Sequence, residues 1–371
     1  MQANPLLILA LGLGLLVAPA APATGQQQVV PPDGDAGARS APRRGDGNDV
    51  DNPIQGNEIT PEQQRAVERG LAFLASRQQA DGSFGNAGRG SGTAITSLAA
   101  IAMMSAGNLP GRGQYGDHVT RATDYIIASS QPNGLLSETD EHGVMYAHGF
   151  ATLFLGEVYG MTRDERVKDP LTRAVRLIQK VQNHEGGWRY TPAPYDADIS
   201  VTITQVMALR AARDSGIKVE KSVIDKAVQY VQDLQNPDGG FNYMAGSGNN
   251  SAFPRSAAGV ATLYYAGISE GKPIDAGLAY VERFTPGRGR ATEINHYFYG
   301  HYYAAQTMFL AGGDHWAKWY PAIRDELIAR QNPDGSWTGE VSAEYCTAMA
   351  LIVLQMPNRY LPVFSGKGAG G

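Results

Sequence analysis

The chain has 371 residues, 43% of them apolar, enough to bury a sizeable core in one large domain or two ordinary ones. The formal net charge is −5, and residues 24–58 alone carry six acids against three arginines, so the composition points away from nucleic acid and from an anionic membrane surface. A single cysteine, Cys346, excludes an intramolecular disulfide framework and leaves stability to the core.

In chain order, the first feature is the apolar run Leu6 to Val17, too short to span a bilayer as a helix, followed by A-P-A at Ala21 to Ala23. This reads as a secretory signal over residues 1–23 and predicts export to the periplasm or the exterior. The start MQANP lacks the usual Lys or Arg, which leaves retention as an anchor open. Residues 24–58 are Gly, Pro, Asp and Gln with little to bury, and are expected to be a disordered spacer. The folded part is expected over 59–364, with a disordered tail at 365–371, and no later segment looks transmembrane.

Within 59–364 the pattern Q-x-x-x-G-x-[WF] occurs at Gln78, Gln182, Gln235 and Gln331, at intervals of 104, 53 and 96 residues. These are close to two, one and two multiples of about 50, the range of repeats built from paired elements. Two degenerate copies are then expected, one at QPNGLL from Gln131, read as one residue short, and one at FTPG from Phe284. Before each intact motif lies an amphipathic helix, as in AVERGLAFLASRQ or IDKAVQYVQDLQ, with apolar residues at i, i+3, i+4 and i+7. Asp-Gly or Gly-Gly breaks it. After the turn comes a helix apolar nearly all round: TAITSLAAIAMMSAG, HGFATLFLGEVYG, SVTITQVMALRAARDSG, SAAGVATLYYAG, HYYAAQTMFLAGG and YCTAMALIVLQM. A helix apolar all round must be covered on both sides, and an amphipathic one on a single side. Six of each predict an all-α protein of two concentric layers, an α/α toroid. An open solenoid stacks the same unit and competes; six copies favour closure.

The four motifs, with HYFYGHYYAAQTMFLAGGDHWAKWYPAIRDELIARQNPDGSW, resemble the QW repeats of squalene and oxidosqualene cyclases and the related repeats of protein prenyltransferase β-subunits. The resemblance implies an α6/α6 barrel with a funnel at the N-terminal ends of the inner helices, a hydrophobic isoprenoid as ligand, and, if the chain is an enzyme, a cyclase-like lyase or isomerase or a transferase. It assigns no cofactor, no nucleic-acid partner and no oligomeric state.

Inner-helix N-termini are electropositive and collect polar side chains. DADIS, Asp196 to Ser200, resembles the Asp-x-Asp-Asp motif of class II terpene cyclases: Asp196 and Asp198 match the first two acids, Asp198 is the would-be general acid, and Ile199 stands where the last acid belongs. A plain N-cap for the following helix is the competing account of Asp198. His301, Tyr299, Tyr302, His148 and Arg255 are the candidate ligand-binding residues, with the tyrosine-rich stretch NHYFYGHYYAAQTMF as a pocket wall or as core of the degenerate fifth copy. The resemblance also suggests a zinc set of Glu344, Cys346 and His301; the letters around it do not match, and no metal site is expected. Two further functions stay open: a non-catalytic toroid that binds a lipid, peptide or glycan, and a polysaccharide-processing toroid.

Overall fold

The computed structural model describes residues 58–85, 92–137, 143–287 and 295–364. All lie in the compact unit Pro53–Gly371. The expected signal segment, nearly all of the spacer and the tail 365–371 fall outside the described residues. Glu58, assigned to the spacer by sequence, is tied to the fold instead: its Oε1 accepts a hydrogen bond from Trp316 Nε1 at 2.7 Å.

The described residues form twelve α-helices: α1 (Pro61–Arg77), α2 (Gly92–Ser105), α3 (Gly116–Ala128), α4 (Val144–Thr162), α5 (Glu165–Lys180), α6 (Ile199–Asp214), α7 (Lys221–Asp233), α8 (Phe253–Ala266), α9 (Lys272–Glu282), α10 (Tyr297–Ala311), α11 (Gly313–Arg330) and α12 (Ala343–Leu354). Among them there is no strand, only isolated bridges in the loops. The even-numbered helices make the inner layer, each packed on the next, and α12 packs back on α2. That contact closes the ring, so the open solenoid is replaced by an α/α toroid.

The local sequence explains the division. In α2 thirteen of the fourteen residues are buried, and they are Ala, Ile, Leu, Met, Gly, Thr and Ser, the two serines bonding their own helix through Ser97 Oγ to Thr93 O and Ser105 Oγ to Ile101 O. In α5 the buried residues are Val167, Pro170, Leu171, Ala174, Val175, Leu177 and Ile178, at helical spacing on one face, behind an Asp164 cap. Helix α4 begins four residues earlier than its sequence pattern suggested, because Val144 and Met145 are buried with the rest of that helix.

The loops between layers repeat one hydrogen-bond arrangement. The side-chain amide of Gln78, Gln182, Gln235 and Gln331 donates to the carbonyl of the Gly four residues on, and also to a carbonyl early in the next outer helix: His118, Val223, Pro273 and Ala66 respectively. Three residues beyond each of those carbonyls lies another, at Arg121, Lys226, Ala276 and Arg69, against which the motif Gly packs with positive φ. A Cβ there would collide with backbone, so only Gly serves. Gly134 meets Arg173 O in the same way. Its N–H bonds Gln131 O as that of Gly82 bonds Gln79 O. The second copy is therefore full length, with Ser130 in the Gln place and Leu136 in the aromatic place, rather than one residue short. At the fifth copy Gly287 has φ of 77° but no carbonyl against it, and the loop continues outside the described residues.

Short 3-10 turns at Met356–Asn358 and Pro362–Phe364 follow α12. The second packs on α6 and buries Val363 and Phe364.

Candidate functional site

Five of the six inner helices, α10 excepted, receive the preceding loop through one side chain in their first turns. The backbone N–H of Phe84, Trp188, Phe241 and Trp337 donates to the hydroxyl of Thr96, Thr202, Ser256 and Thr347, at 2.9 to 3.2 Å. In the second unit Leu136 N–H donates to His148 Nδ1 at 3.0 Å, and His148 Nε2 faces Ala174 O at 3.3 Å. His148 is wholly buried, and this desolvation holds its imidazole down to about 4, so it is neutral. Both ring nitrogens are used by the scaffold. His301 falls at the matching place of α10, a turn inside the helix rather than at its start. It is 1% exposed, packed among Phe253, Tyr297 and Trp319, and neither ring nitrogen has a hydrogen-bond partner. Burial pushes it down to about 3. Trp319 belongs to outer helix α11, so this face of α10 looks toward the outer layer.

Two residues before each acceptor the helix turns another face outward. Those residues are Ala94, Tyr146, Ser200, Pro254 and Tyr345, with Tyr299 at the same place before His301; each is partly exposed, and all but Pro254 stand between buried neighbours. Tyr299 OH reaches Ser200 O at 3.3 Å, joining α10 to α6 past the intervening α8. Tyr303 stands within electrostatic reach of Tyr146, Tyr299, Tyr302 and Tyr345. Tyrosines of α4, α10 and α12 thus gather at the inner-helix N-termini.

Asp198 caps the N-terminus of α6 close to Tyr146 and Tyr299. Its Oδ1 accepts from Ser200 N at 2.8 Å and Val201 N at 2.9 Å, and its backbone N–H bonds Trp188 O at 3.0 Å. The side chain is fully buried, and Oδ2 makes no hydrogen bond among the described residues. Burial pushes the carboxyl up to about 6, against the opposing pull of the Val201 N–H, Arg189, the Ser200 N–H and the Tyr243 hydroxyl. Oδ1 holds the helix, and Oδ2 faces Arg189 Nε at 3.7 Å.

The other expected residues divide. Asp196 is about half exposed and pairs with Arg189 at 2.5 Å. Arg255 is partly buried at the rim, where its Nε donates to Phe241 O at 3.0 Å and its Nη2 to Asn250 O. Tyr302 is fully buried, edge-on to Tyr303 and Phe150, and is not among the partly exposed tyrosines. Glu344 pairs with Arg77 at 3.0 Å, and desolvation raises the buried Cys346 thiol to about 12, far from a ready metal ligand. Among the described residues no three His, Cys, Asp or Glu side chains are grouped to hold a metal ion.

Sequence reasoning passed over Arg189, Tyr190, Tyr243, Tyr146 and Tyr345. Arg189 lies over the rings of Tyr190 and Tyr243 at 5.2 and 6.0 Å, and the two phenol oxygens bond each other. A signal existed for two of them: Tyr190 and Tyr243 each stand two residues after the motif aromatic, Trp188 and Phe241.

Residues 150–286 match the prenyltransferase alpha-alpha toroid domain family. Drimenyl diphosphate synthase of Streptomyces showdoensis is 28% identical over 241 residues, which cover 62% of this chain and 43% of that protein, so the chain matches less than half the length of this curated relative. Among solved structures, the type II terpene cyclase MstE from Scytonema, bound to geranylgeranyl dihydroxybenzoate, superposes with a TM-score of 0.56 at 14% identity, covering 81% of this chain and 98% of that one. An α-1,6-mannanase from Salegentibacter sp. HEL1_6 superposes with a TM-score of 0.61 at 9% identity, covering 80% and 99%. The chain belongs to the terpenoid cyclase/prenyltransferase-like α/α toroid superfamily.

Proposed function

We propose that this member of the superfamily binds an isoprenoid beside the tyrosines at the inner-helix N-termini and that Asp198 acts on it as a general acid. One observation carries the reading: a carboxyl wholly inside the protein keeps one oxygen without a hydrogen bond among the described residues, with Arg189 Nε 3.7 Å away. A buried polar atom without a partner is costly, and such atoms collect where function needs them. Because burial raises this group to about 6, a proton is held on it near neutral pH more often than on an ordinary aspartate.

In the proposed step the Oδ2–H bond breaks and the proton joins one carbon of an alkene. A second double bond attacks the resulting cation and closes a ring, and loss of a proton from a neighbouring carbon restores neutrality. The net change is isomerisation, with no redox partner. The carboxylate left behind is stabilised by the Ser200 and Val201 N–H groups that already hold Oδ1 and by Arg189 nearby. The faces of Tyr146, Tyr299 and Tyr345 offer negative quadrupoles to the cation. The apolar run at residues 6–17 with A-P-A after it supports export, so the ligand would be met outside the cytosol.

The polysaccharide reading finds less support. The mannanase was solved with two consecutive aspartates replaced; this sequence has no two consecutive aspartates.

The test is product formation from linear polyprenols, polyprenyl diphosphates and terpene hydrocarbons, followed by mass spectrometry. Asp198→Asn keeps a residue able to cap α6 and is expected to abolish turnover. Wild-type binding without any turnover would replace catalysis by carriage.

A further inference from the structure

Arg189 lies between the two aspartates ahead of α6 and bonds only one of them. Its Nη1 donates to Asp196 Oδ2 at 2.5 Å, whereas its Nε stands 3.7 Å from Asp198 Oδ2, outside hydrogen-bond range. The side chain of Asp196 is 52% exposed and that of Asp198 not at all. The guanidinium therefore spans from rim to interior, steadied against the faces of Tyr190 and Tyr243. Closing the inner gap to a charge-assisted bond takes a movement of only about 0.8 Å.

We propose that Asp196 is a positioning residue: its carboxylate holds the Arg189 guanidinium at the rim, out of bonding reach of Asp198 Oδ2, and so keeps that oxygen open to a ligand. The functional meaning rests on the general-acid reading of Asp198; the geometric content does not. Without Asp196, the guanidinium turns inward. It then fills the free oxygen and favours the ionised form of Asp198, which cannot give a proton.

The groups that face Asp198 are Arg189 and Tyr190 from the loop before α6, Tyr146 of α4, Tyr230 of α7, Tyr243 from the loop before α8 and Tyr299 of α10. Arg189 is the cation of that set. The tyrosines are held above their ordinary range by burial, so they stay neutral through the titration of an acid. A movement of the arginine is thus the change to which the carboxyl responds.

The experiment is infrared titration of the protonated carboxyl band of Asp198, isolated by subtracting the spectrum of Asp198→Asn. Asp196→Asn is expected to lower the midpoint by about one unit or more, and Arg189→Gln to raise it. In the Arg189→Gln background, Asp196→Asn is expected to move the midpoint by less than about 0.3 unit, because the residue being positioned is gone. Arg189→Met takes the place of Arg189→Gln if that variant does not fold. The proposal is overturned if Asp196→Asn leaves the midpoint in place, or if it lowers the midpoint equally with and without Arg189, since the two carboxylates would then act on each other directly. No turnover is needed for the reading. An inactive wild type would sink the general-acid function while this titration still decides the role of Asp196.

Discussion

The side-chain amide of Gln331 donates to the backbone carbonyl of Ala66, 265 residues earlier, at 2.8 Å. It is the same bond that Gln78, Gln182 and Gln235 make to the outer helix that follows each of them. For the last unit the following helix is α1, so one repeated contact seals the ring. Gln331→Ala is expected to cost about 1–2 kcal/mol in urea unfolding, the range for a partly buried hydrogen bond whose acceptors remain. Gly335→Ala should cost more, because its φ is 88° and the new Cβ would lie 2.5 Å from Arg69 O. Equal midpoints for both variants and wild type would mean that the seam contributes nothing to closure.

The two buried histidines are expected to respond oppositely to replacement by Phe. Each has a folded value pushed down from 6.5, to about 4 for His148 and about 3 for His301. The unfolded chain then takes up protons first, so stability is present above about 6.5 and is lost as pH falls toward those values. His301→Phe leaves no nitrogen unpaired in its aromatic cage and should flatten part of this acid limb. His148→Phe strands the Leu136 N–H and should destabilise by about 2 kcal/mol at pH 8, a deficit that narrows toward pH 4 because the variant also lacks the imidazole whose protonation costs the wild type stability there. Thermal melts from pH 4 to 8 separate the two cases.

Glu157 predicts a loss on the alkaline side. It lies in the second half of α4, 2% exposed, with Oε2 unpaired, and burial pushes it up from 4.5 to about 8. Here the folded chain keeps the proton that the unfolded chain releases. Stability is full below about 4.5 and declines as pH rises to about 8. Glu157→Gln should remove that decline, so that the variant matches or exceeds wild type at pH 8 in denaturant unfolding. A wild-type curve flat between pH 5 and 8 would contradict the placement of this acid.

If Asp198 delivers a proton, turnover must fall as pH rises through about 6, where the group ionises. A rate that climbs across the same window would instead mark Asp198 as a base.

The helix order and the four intact loops were legible because their signals are local: spacing of apolar residues, Asp-Gly breaks and a recurring Gln. The second copy was misread by one residue because Ser130 replaces the Gln, and only the packing of Gly134 on Arg173 O restores the register. Helices α3 and α9 were counted among the six outer helices, but with no intact motif after them their segments were not located. Of the candidate site, Asp198 and Tyr299 were found because they lie near inner-helix starts. His148 and His301 were chosen on the same ground, yet each points from its helix toward the scaffold, since two residues along a helix turn the side chain to another face. Arg189 lies in a loop ten residues from the inner helix it serves, and no helical period leads to it.

The central claim is that Asp198 transfers a proton to a bound alkene. Wild-type protein incubated in deuterated water with linear polyprenyl substrates should yield a cyclised product carrying one deuterium at the carbon that was protonated, and Asp198→Asn should yield none. Product without deuterium, product made equally by Asp198→Asn, or no product from wild type across the substrate panel would contradict it.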